Sequence, residues 1–101
     1  VGSDDELILP ASSLSQNYPN PFNPETTIYF TTENAENSEI IIYNIKGQQV
    51  CTLVNEVFPA GRHSVLWDGK DNHGKHVSSG IYFYKLKAGN FVDVKKAILL
   101  K

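Results

Sequence analysis

Long apolar runs, methionine, and basic residues in the first half are all missing from this chain of 101 residues. No run approaches the ~20 apolar residues that a membrane-spanning helix requires, so we expect no transmembrane segment. Residues 1–6 are largely acidic and show none of the features of a signal peptide. We therefore expect one domain that belongs to a longer protein, with its targeting signal elsewhere.

Charge is distributed unevenly along the chain. Residues 1–45 contain seven acidic side chains and no Lys or Arg, whereas residues 46–101 contain all nine basic side chains and four acids. The net charge of −2 argues against nucleic acid as a partner, because phosphate binding needs a concentrated basic surface. Two interpretations of the imbalance remain open. Acidic and basic strands lie side by side in the folded domain, or Lys95, Lys96 and Lys101 face an acidic partner.

Cysteine occurs once, as Cys51, which excludes an internal disulfide. A catalytic thiol needs an adjacent base, and nothing in the spacing ties His63, His73 or His76 to this residue. We expect Cys51 to behave as a small hydrophobe. No glycine-rich phosphate loop follows a strand, and no Ser or Asp has a triad-like context. The sequence therefore predicts a non-catalytic module that needs no cofactor.

Oxygen-bearing side chains cluster at Asp68, Asp71 and Asn72, among glycines. Calcium is one interpretation, but the alternating acidic positions and the final bidentate Glu of a helical calcium loop are missing. Asp and Asn also stabilise turns by accepting hydrogen bonds from nearby backbone amides. His73 and His76 lie three residues apart without a third zinc ligand. The sequence favours a turn over a metal site and leaves calcium binding open.

Three of the five prolines fall within residues 17–24, which read Asn-Tyr-Pro-Asn-Pro-Phe-Asn-Pro. Proline fixes φ, lacks a backbone donor and keeps the preceding residue out of the helical region. The stretch must therefore be extended, and it cannot be a central strand. The three-residue period of polyproline II would place its three asparagines on one edge. We interpret residues 17–24 as a strap whose aromatic rings seal the open end of a small β-domain.

Short strand-like runs separated by turn residues follow the strap. They cover residues 26–31, 38–43, 49–54, 62–67, 80–87 and 91–100, with a loop predicted at 55–61. The nearest helical candidate, residues 95–101, also fits an alternation that places Val92, Val94, Ile98 and Leu100 on one face. About seven antiparallel strands in a chain of this length predict an all-β, immunoglobulin-like sandwich.

Alternation within the runs also predicts the core. The side chains expected to point inward are Ile28, Phe30, Ile40, Ile42, Val65, Trp67, Tyr82, Tyr84 and Leu86. Trp67 is the expected centre of this core, since a buried indole contributes the largest apolar area. Ile41, Ile81 and Phe83 fall on the opposite phase. They are either covered by the strap or form an exposed apolar patch.

Three sequence blocks together resemble a known family. They are Leu14-Ser15-Gln16-Asn17-Tyr18-Pro19-Asn20-Pro21-Phe22-Asn23-Pro24, Ile42-Tyr43-Asn44-Ile45-Lys46-Gly47, and Trp67-Asp68-Gly69-Lys70-Asp71 with Ser79-Gly80-Ile81-Tyr82-Phe83-Tyr84. In this order they resemble the type A C-terminal sorting domains of type IX secretion substrates, and the related immunoglobulin-like domain of the flagellar hook-capping protein. The resemblance covers about residues 14–101. The proline block is the more specific for sorting domains, and Cys51 departs from the pattern.

The resemblance implies a C-terminal module of a larger secreted or cell-surface protein, exported through the periplasm of a Gram-negative-type bacterium. An outer-membrane translocon would recognise the domain. In that family a sorting peptidase commonly removes it from the cargo domain that precedes it, or it is exchanged for a surface lipid anchor. Residues 1–13 would be a flexible acidic linker and 14–101 the sorting domain. The residues expected to contact the partner are in the final strand: Lys95, Lys96, Ile98, Leu100 and Lys101.

Two other functions remain open. The first is a structural immunoglobulin-like accessory module of an extracellular enzyme or a filament-associated protein. The second is carbohydrate binding, which would require Tyr29, Tyr43 or Phe83 to form a single exposed platform. The sorting interpretation assumes instead an exposed edge strand, to which a strand of the partner could add through main-chain hydrogen bonds.

Overall fold

The computed structural model describes residues 11–101. This part of the chain forms seven strands, which are arranged in two antiparallel sheets. The strands are β1 (Ser13–Leu14), β2 (Thr26–Thr32), β3 (Glu36–Asn44), β4 (Gln49–Phe58), β5 (Gly61–Trp67), β6 (Gly80–Ala88) and β7 (Phe91–Leu99). One sheet has the order β1-β2-β5 and the other β4-β3-β6-β7. The predicted immunoglobulin-like sandwich is confirmed. No helix long and apolar enough to cross a membrane occurs in the described residues.

The predicted core is confirmed at nearly every position. Side chains alternate between the two faces of a strand, so one phase of each strand faces the other sheet. Of the predicted residues only Val65 is half-buried; the other eight are buried between the sheets. On the opposite phase, Ile41 is buried, while Ile81 and Phe83 are half-buried on the outer surface of the four-stranded sheet.

Residues 95–101 lie in and just after strand β7 and form no helix. The alternation predicted for this segment holds, with Val92, Val94 and Ile98 on one face. That face is the outer one, because Ala97 and Leu99 point into the core. The final strand therefore contributes Ala97 and Leu99 to the interior and presents Val92, Val94 and Ile98 on the surface.

The loop predicted at residues 55–61 is wrong over its first four residues. Strand β4 continues to Phe58, and Asn55 and Glu56 pair with strand β3. Their polar side chains suggested a loop, but they lie on an edge strand that faces solvent. The chain then crosses between the sheets at Pro59, whose carbonyl accepts a hydrogen bond from Thr32 Oγ1 at 2.8 Å.

The boundary predicted at residue 13 lies close to the start of the described structure. Strand β1 begins at Ser13, and Ser12 Oγ accepts a hydrogen bond from the Glu33 amide at 2.9 Å. The predicted linker, residues 1–13, lies mainly outside the described residues. Its role remains a prediction.

Candidate interaction surface

The strap first runs beside strand β2. Tyr18 and Thr27 exchange two backbone hydrogen bonds of 2.9 Å, and the Ser15 amide just before the strap donates to the Tyr29 carbonyl at 3.0 Å. This backbone pairing lengthens the edge that the two-residue strand β1 begins. The peptide bonds before Pro19, Pro21 and Pro24 are cis.

A buried tyrosine from the opposite sheet fastens the start of this segment. Tyr84 Oη donates a hydrogen bond to the Ser15 carbonyl and accepts one from the Asn17 amide, both at 2.7 Å. Burial raises the pKa of Tyr84 to about 12, so its hydroxyl stays protonated and can fill both roles at neutral pH. Strand β6 thereby holds the beginning of the strap across the sandwich.

Farther along, the strap crosses to strand β7 and inserts Phe22 into the core. The Phe22 amide donates to the Ile98 carbonyl, and the Leu100 amide donates to the Phe22 carbonyl, both at 2.9 Å. The Phe22 ring is 2% exposed, and its centroid lies 5.4 Å from that of Trp67. Of the two aromatic rings in the strap, that of Phe22 is therefore buried in the core.

The rest of the strap differs from the prediction. Tyr18 is 75% exposed, so its ring seals nothing. The three asparagines do not share one edge, because Asn17 is 2% exposed while Asn20 and Asn23 are exposed. The Asn17 side chain donates to Thr26 Oγ1 at 2.9 Å, and it is this contact that draws the side chain inward. Polyproline periodicity therefore does not describe the strap.

The Trp-Asp-Gly turn packs directly against the strap. Trp67 Nε1 donates to the Lys70 carbonyl at 3.0 Å, and Asp68 Oδ1 accepts from the Lys70 amide at 3.1 Å. Gly69 has φ of +75°, and a Cβ there would stand 3.0 Å from the Pro24 carbonyl oxygen. Only glycine satisfies both the positive φ and this close approach of the strap.

The other motif residues also have structural positions. Tyr82 Oη donates to the Ser78 carbonyl at 2.6 Å, which resembles the tyrosine corner of immunoglobulin-like domains. Gly80 opens strand β6. Gly47, with φ of +81°, closes the β3–β4 hairpin by donating its amide to the Asn44 carbonyl.

The oxygen-rich loop after Trp67 forms a turn in the structure. Asp71 Oδ1 accepts from the amides of His73 and Lys75, and Asn72 Oδ1 accepts from the Thr52 amide at 3.1 Å. The hydrogen bond from the Lys75 amide is the main cause that lowers the pKa of Asp71. Within residues 11–101, no group of three or more His, Cys, Asp or Glu side chains is arranged to hold a metal ion.

Cys51 is buried in strand β4, as its interpretation as a hydrophobe requires. Burial is the main cause that raises the pKa of its thiol to about 11, and the nearby carboxylates of Asp68 and Asp71 add to it. A thiol with this pKa is protonated at neutral pH and is therefore a poor nucleophile.

The predicted partner-binding residues do not form one cluster. Lys96 and Ile98 lie on the outer face of the four-stranded sheet, whereas Lys95 has the opposite phase. Leu100 is exposed beyond the end of the strand, and the Lys101 amide donates to Ser79 Oγ at 3.1 Å. The structure thus divides the predicted set between two faces and the chain end.

Strand β6 adds outer-face residues that were not predicted as part of a site. Phe83 pairs with Lys96 and Ile81 with Ile98, while Lys85 lies over the Tyr43 ring at 5.4 Å from its centroid. The outward orientation of these residues could be predicted from the sequence, because they have the phase opposite to that of the core residues. Which of them would neighbour the final strand depends on the β6–β7 register, which alternation does not specify.

The expected exposed edge is wrong for the second half of strand β7. The Ile98 amide donates to Asn20 Oδ1 at 2.9 Å, and the Lys96 carbonyl accepts from Gln16 Nε2 at 2.6 Å. With the two Phe22 bonds, these contacts occupy the outward backbone groups between Lys96 and Leu100. A partner strand cannot pair there while the strap is in place.

The three aromatic residues considered for carbohydrate binding do not form one platform. Tyr29 pairs with Ser64 in the three-stranded sheet, and its ring is half exposed on the outside of that sheet. Tyr43 and Phe83 are cross-strand partners on the outside of the other sheet. The rings therefore lie on opposite sides of the sandwich, which removes the single platform that this interpretation requires.

Comparison with known proteins agrees with this architecture. Residues 19–90, more than two thirds of the chain, match the family described as FlgD Ig-like domain. No curated protein matches the chain as a relative.

Two solved structures of larger proteins share the fold. PorU from Porphyromonas gingivalis, in its dimeric latent form, matches 92% of this chain with a TM-score of 0.73 and 19% identity. PorZ, a surface component of the type IX secretion system of the same organism, matches 88% with a TM-score of 0.58 and 16% identity. The matched regions are 10% and 12% of those chains. From the extent of the family match and the two-sheet structure, this chain belongs to the FlgD Ig-like domain family.

Proposed function

We propose that this domain is a non-catalytic sorting module, of the type A C-terminal kind, in a larger secreted or cell-surface protein. The observation that carries the proposal is the junction between the strap, which is the block more specific for sorting domains, and the final strand, which contains the predicted partner contacts. Phe22 joins them through two backbone hydrogen bonds, and its ring packs against Trp67 of strand β5. The two ends of the domain thus form one folded unit that a secretion machine could recognise.

The similarity to PorZ supports the same function. PorZ is described as an essential surface component of the type IX secretion system, and this chain matches about an eighth of it. A domain of this size at the end of a larger chain is suited to address the cargo that precedes it. We infer that the parent protein passes through the periplasm to the cell surface or medium. The outer-membrane translocon and a sorting peptidase would be its partners, with cleavage in residues 1–13.

Recognition would use side chains rather than the covered part of the β7 edge. Lys96 and Ile98 project from the outer face of the four-stranded sheet, and Leu100 is exposed at the end of the strand. Lys95 and Lys101 would extend this basic surface around the edge and the chain end. These five residues are our proposed contacts with the export machinery.

An export assay tests this proposal. Residues 1–101 are fused behind a reporter that carries a signal for export to the periplasm, in a bacterium with a type IX system. We expect the reporter on the surface or in the medium, shortened by cleavage near residues 1–15. A reporter retained in the periplasm with a folded, protease-resistant domain would contradict the proposal. The reporter with its export signal alone serves as the control.

Truncation of the last strand is a poor test, since Ala97 and Leu99 belong to the core. Removing residues 95–101 would unfold the domain, and export would fail whatever the role of the lysines. Replacing Lys95, Lys96 and Lys101 together by Gln changes the surface and leaves the core side chains intact. We expect reduced export with unchanged thermal stability.

The alternative is a structural accessory module, and one observation favours it. The strap already satisfies the outward backbone groups at the end of strand β7, as a domain without a strand-adding partner would require. An accessory module predicts that variants of the lysines export normally. It also predicts that loss of the domain lowers the stability or activity of the neighbouring domain.

A further inference from the structure

Two tyrosines are exposed on the outer face of the three-stranded sheet. Tyr29 is 51% exposed and Tyr18 is 75% exposed. Tyr18 pairs with Thr27, and residues opposite each other in antiparallel strands present their side chains on the same face. Thr27 lies two residues before Tyr29 in strand β2, so the three side chains share one face. Tyr29 is thus far from Tyr43 and Phe83 on the other sheet, but it has a neighbouring aromatic ring in Tyr18.

The register arranges this face in three rows across the sheet. From one end to the other, the rows are Ser13, Thr31 and Arg62; Ser15, Tyr29 and Ser64; and Tyr18, Thr27 and Leu66. Successive rows are two residues apart along the strands, so the first and third rows are separated by about 14 Å. Tyr29 is at the centre, with Arg62 and Tyr18 on either side of it along the strands. We refer to these nine residues as the tyrosine face.

Two hollows border the Tyr29 side chain. Their volumes are about 380 Å³ and about 390 Å³. The other residues of the tyrosine face that line them are Ser13, Ser15, Thr31, Arg62 and Ser64. Hydroxyl groups and one guanidinium therefore surround the ring. Because a hydroxyl both donates and accepts hydrogen bonds, this lining matches a ligand that is itself rich in hydroxyls.

The charge of the tyrosine face comes from Arg62. It is the one Lys, Arg, Asp or Glu in strands β1, β2 and β5. Glu33 follows the end of strand β2 and lines a different hollow, with Asn34 and Phe91. No carboxylate of the tyrosine face therefore competes for the guanidinium, which can bind a carboxylate through two parallel hydrogen bonds. Charge complementarity favours a ligand that carries carboxylates.

A polypeptide or a nucleic acid matches the tyrosine face less well. Strand β2 is the middle strand, paired with β1 and the strap on one side and with β5 on the other. An added strand would find no free backbone groups over Tyr29. A nucleic acid needs a concentrated basic surface, and this face has one cation. Recognition must use aromatic rings, hydroxyls and Arg62, and this combination fits a sugar chain with acidic units.

We propose that the tyrosine face binds an acidic polysaccharide, a chain of sugar units that includes uronic acids. The rings of Tyr29 and Tyr18 would pack against the apolar C–H faces of sugar units, while the hydroxyls of the face bond those of the sugar. Arg62 would hold a uronate carboxylate. The inference goes beyond the sorting role and does not depend on it. Such a face would attach the parent protein to a polysaccharide.

Saccharide binding provides the first test, with ¹⁵N-labelled protein of residues 1–101 observed by NMR. The probes are trisaccharides of galacturonate, mannuronate and glucuronate, each with its methyl ester as the uncharged control. We expect saturable shifts with at least one acid, centred on Tyr29, Arg62 and Ser64, and about fivefold weaker binding of its ester. No shifts with any of the three acids, equal binding of acid and ester, or shifts confined to the four-stranded sheet would overturn the inference.

An acidic peptide provides the control for a general attraction of anions. Hexaglutamate with blocked ends carries carboxylates but no sugar rings. We expect it to bind more weakly than the best trisaccharide, because it cannot pack flat apolar faces on the two tyrosines. Equal or tighter binding of the peptide would make an acidic protein segment the better ligand and would overturn the assignment to a polysaccharide.

Variants provide the second test. Tyr29→Ala should weaken binding of the best trisaccharide about tenfold and Arg62→Gln about fivefold, while Tyr29→Phe, which keeps the ring, should bind nearly as well as wild type. The matched controls are Tyr43→Ala and Lys46→Gln, which change an aromatic ring and a cation outside the face. Both should leave the affinity unchanged, and circular dichroism verifies that every variant is folded. Equal affinities of the site and control variants would refute the site.

The export assay separates this inference from the proposed function. A domain that binds a uronate trisaccharide at the tyrosine face but does not export the reporter supports the inference and refutes the sorting role. Export of the reporter by a domain that binds none of the three acids has the opposite meaning.

Discussion

Removing the hydroxyl of Tyr84 tests whether the strap is an integral part of the fold. Tyr84→Phe keeps the buried ring and removes the atom that bonds both the Ser15 carbonyl and the Asn17 amide. A buried group that loses its hydrogen-bond partner costs about 1–3 kcal/mol. The Asn17 amide is buried, whereas Ser15 is an exposed residue whose carbonyl can turn to water. We therefore expect a loss of about 2–3 kcal/mol in the free energy of unfolding.

Urea unfolding followed by Trp67 fluorescence measures this loss, because the indole is buried between the strap and strand β6. The expected change corresponds to a melting temperature lower by roughly 10–20 °C for a domain of this size. Tyr82→Phe is the matched control, since Tyr82 makes one hydrogen bond of 2.6 Å to the Ser78 carbonyl. We expect about 1 kcal/mol for the control. If Tyr84→Phe costs no more than Tyr82→Phe, the hydroxyl does not fasten the strap.

The pH dependence gives an independent check. Burial raises the pKa of Tyr84 to about 12 in the folded protein, against about 10 in an unfolded chain. Between these values the folded state holds a proton that the unfolded state has lost, so stability falls as pH rises through this range. The Tyr84→Phe variant has no hydroxyl proton to lose, so this group adds no pH dependence to its stability. Its stability deficit should therefore narrow as the pH rises above 10, and a constant deficit would contradict the assignment.

Three further changes test other parts of the structure. Gly69→Ala should cost about 1–2 kcal/mol more than Gly47→Ala in urea unfolding: both glycines have positive φ, but a Cβ meets the Pro24 carbonyl only at Gly69. Wild-type stability should fall as pH rises from 9 to about 11, because burial raises the Cys51 pKa; Cys51→Ala should show a smaller slope over this range. Phe22→Ala should cost about 3–5 kcal/mol and expose the covered edge to hydrogen exchange; unchanged protection at the end of strand β7 would contradict its covering role.

The sequence predicted the elements that depend on short-range patterns. A period of two places Ile40 and Ile42 inward whatever their partners are, and glycine at positive φ defines the turn at Gly47. The same reasoning wrongly predicted a loop at residues 55 and 56. These residues are polar because they belong to an edge strand with one solvent-exposed face, and such a strand can have the composition of a loop.

Contacts between distant residues account for the other differences. Asn17 turns inward because Thr26 accepts its amide, and local proline geometry contains no information about that contact. The covered end of strand β7 depends on Phe22, which lies 76 residues before Ile98. The candidate surface has the same origin: alternation identifies Phe83 and Lys96 as outward, and the β6–β7 register makes them neighbours.

The covering of edges also bears on how the domain avoids aggregation. A long unpaired edge invites pairing with other chains, and natural sheets protect it with bulges, charges or covering segments. In this domain Asn72 bonds the edge of strand β4 at Thr52, and that strand carries two register shifts. The strap closes the second half of strand β7 in the same way. Both edges of the four-stranded sheet are therefore protected by contacts from segments that are distant in sequence, which disfavours pairing with other chains.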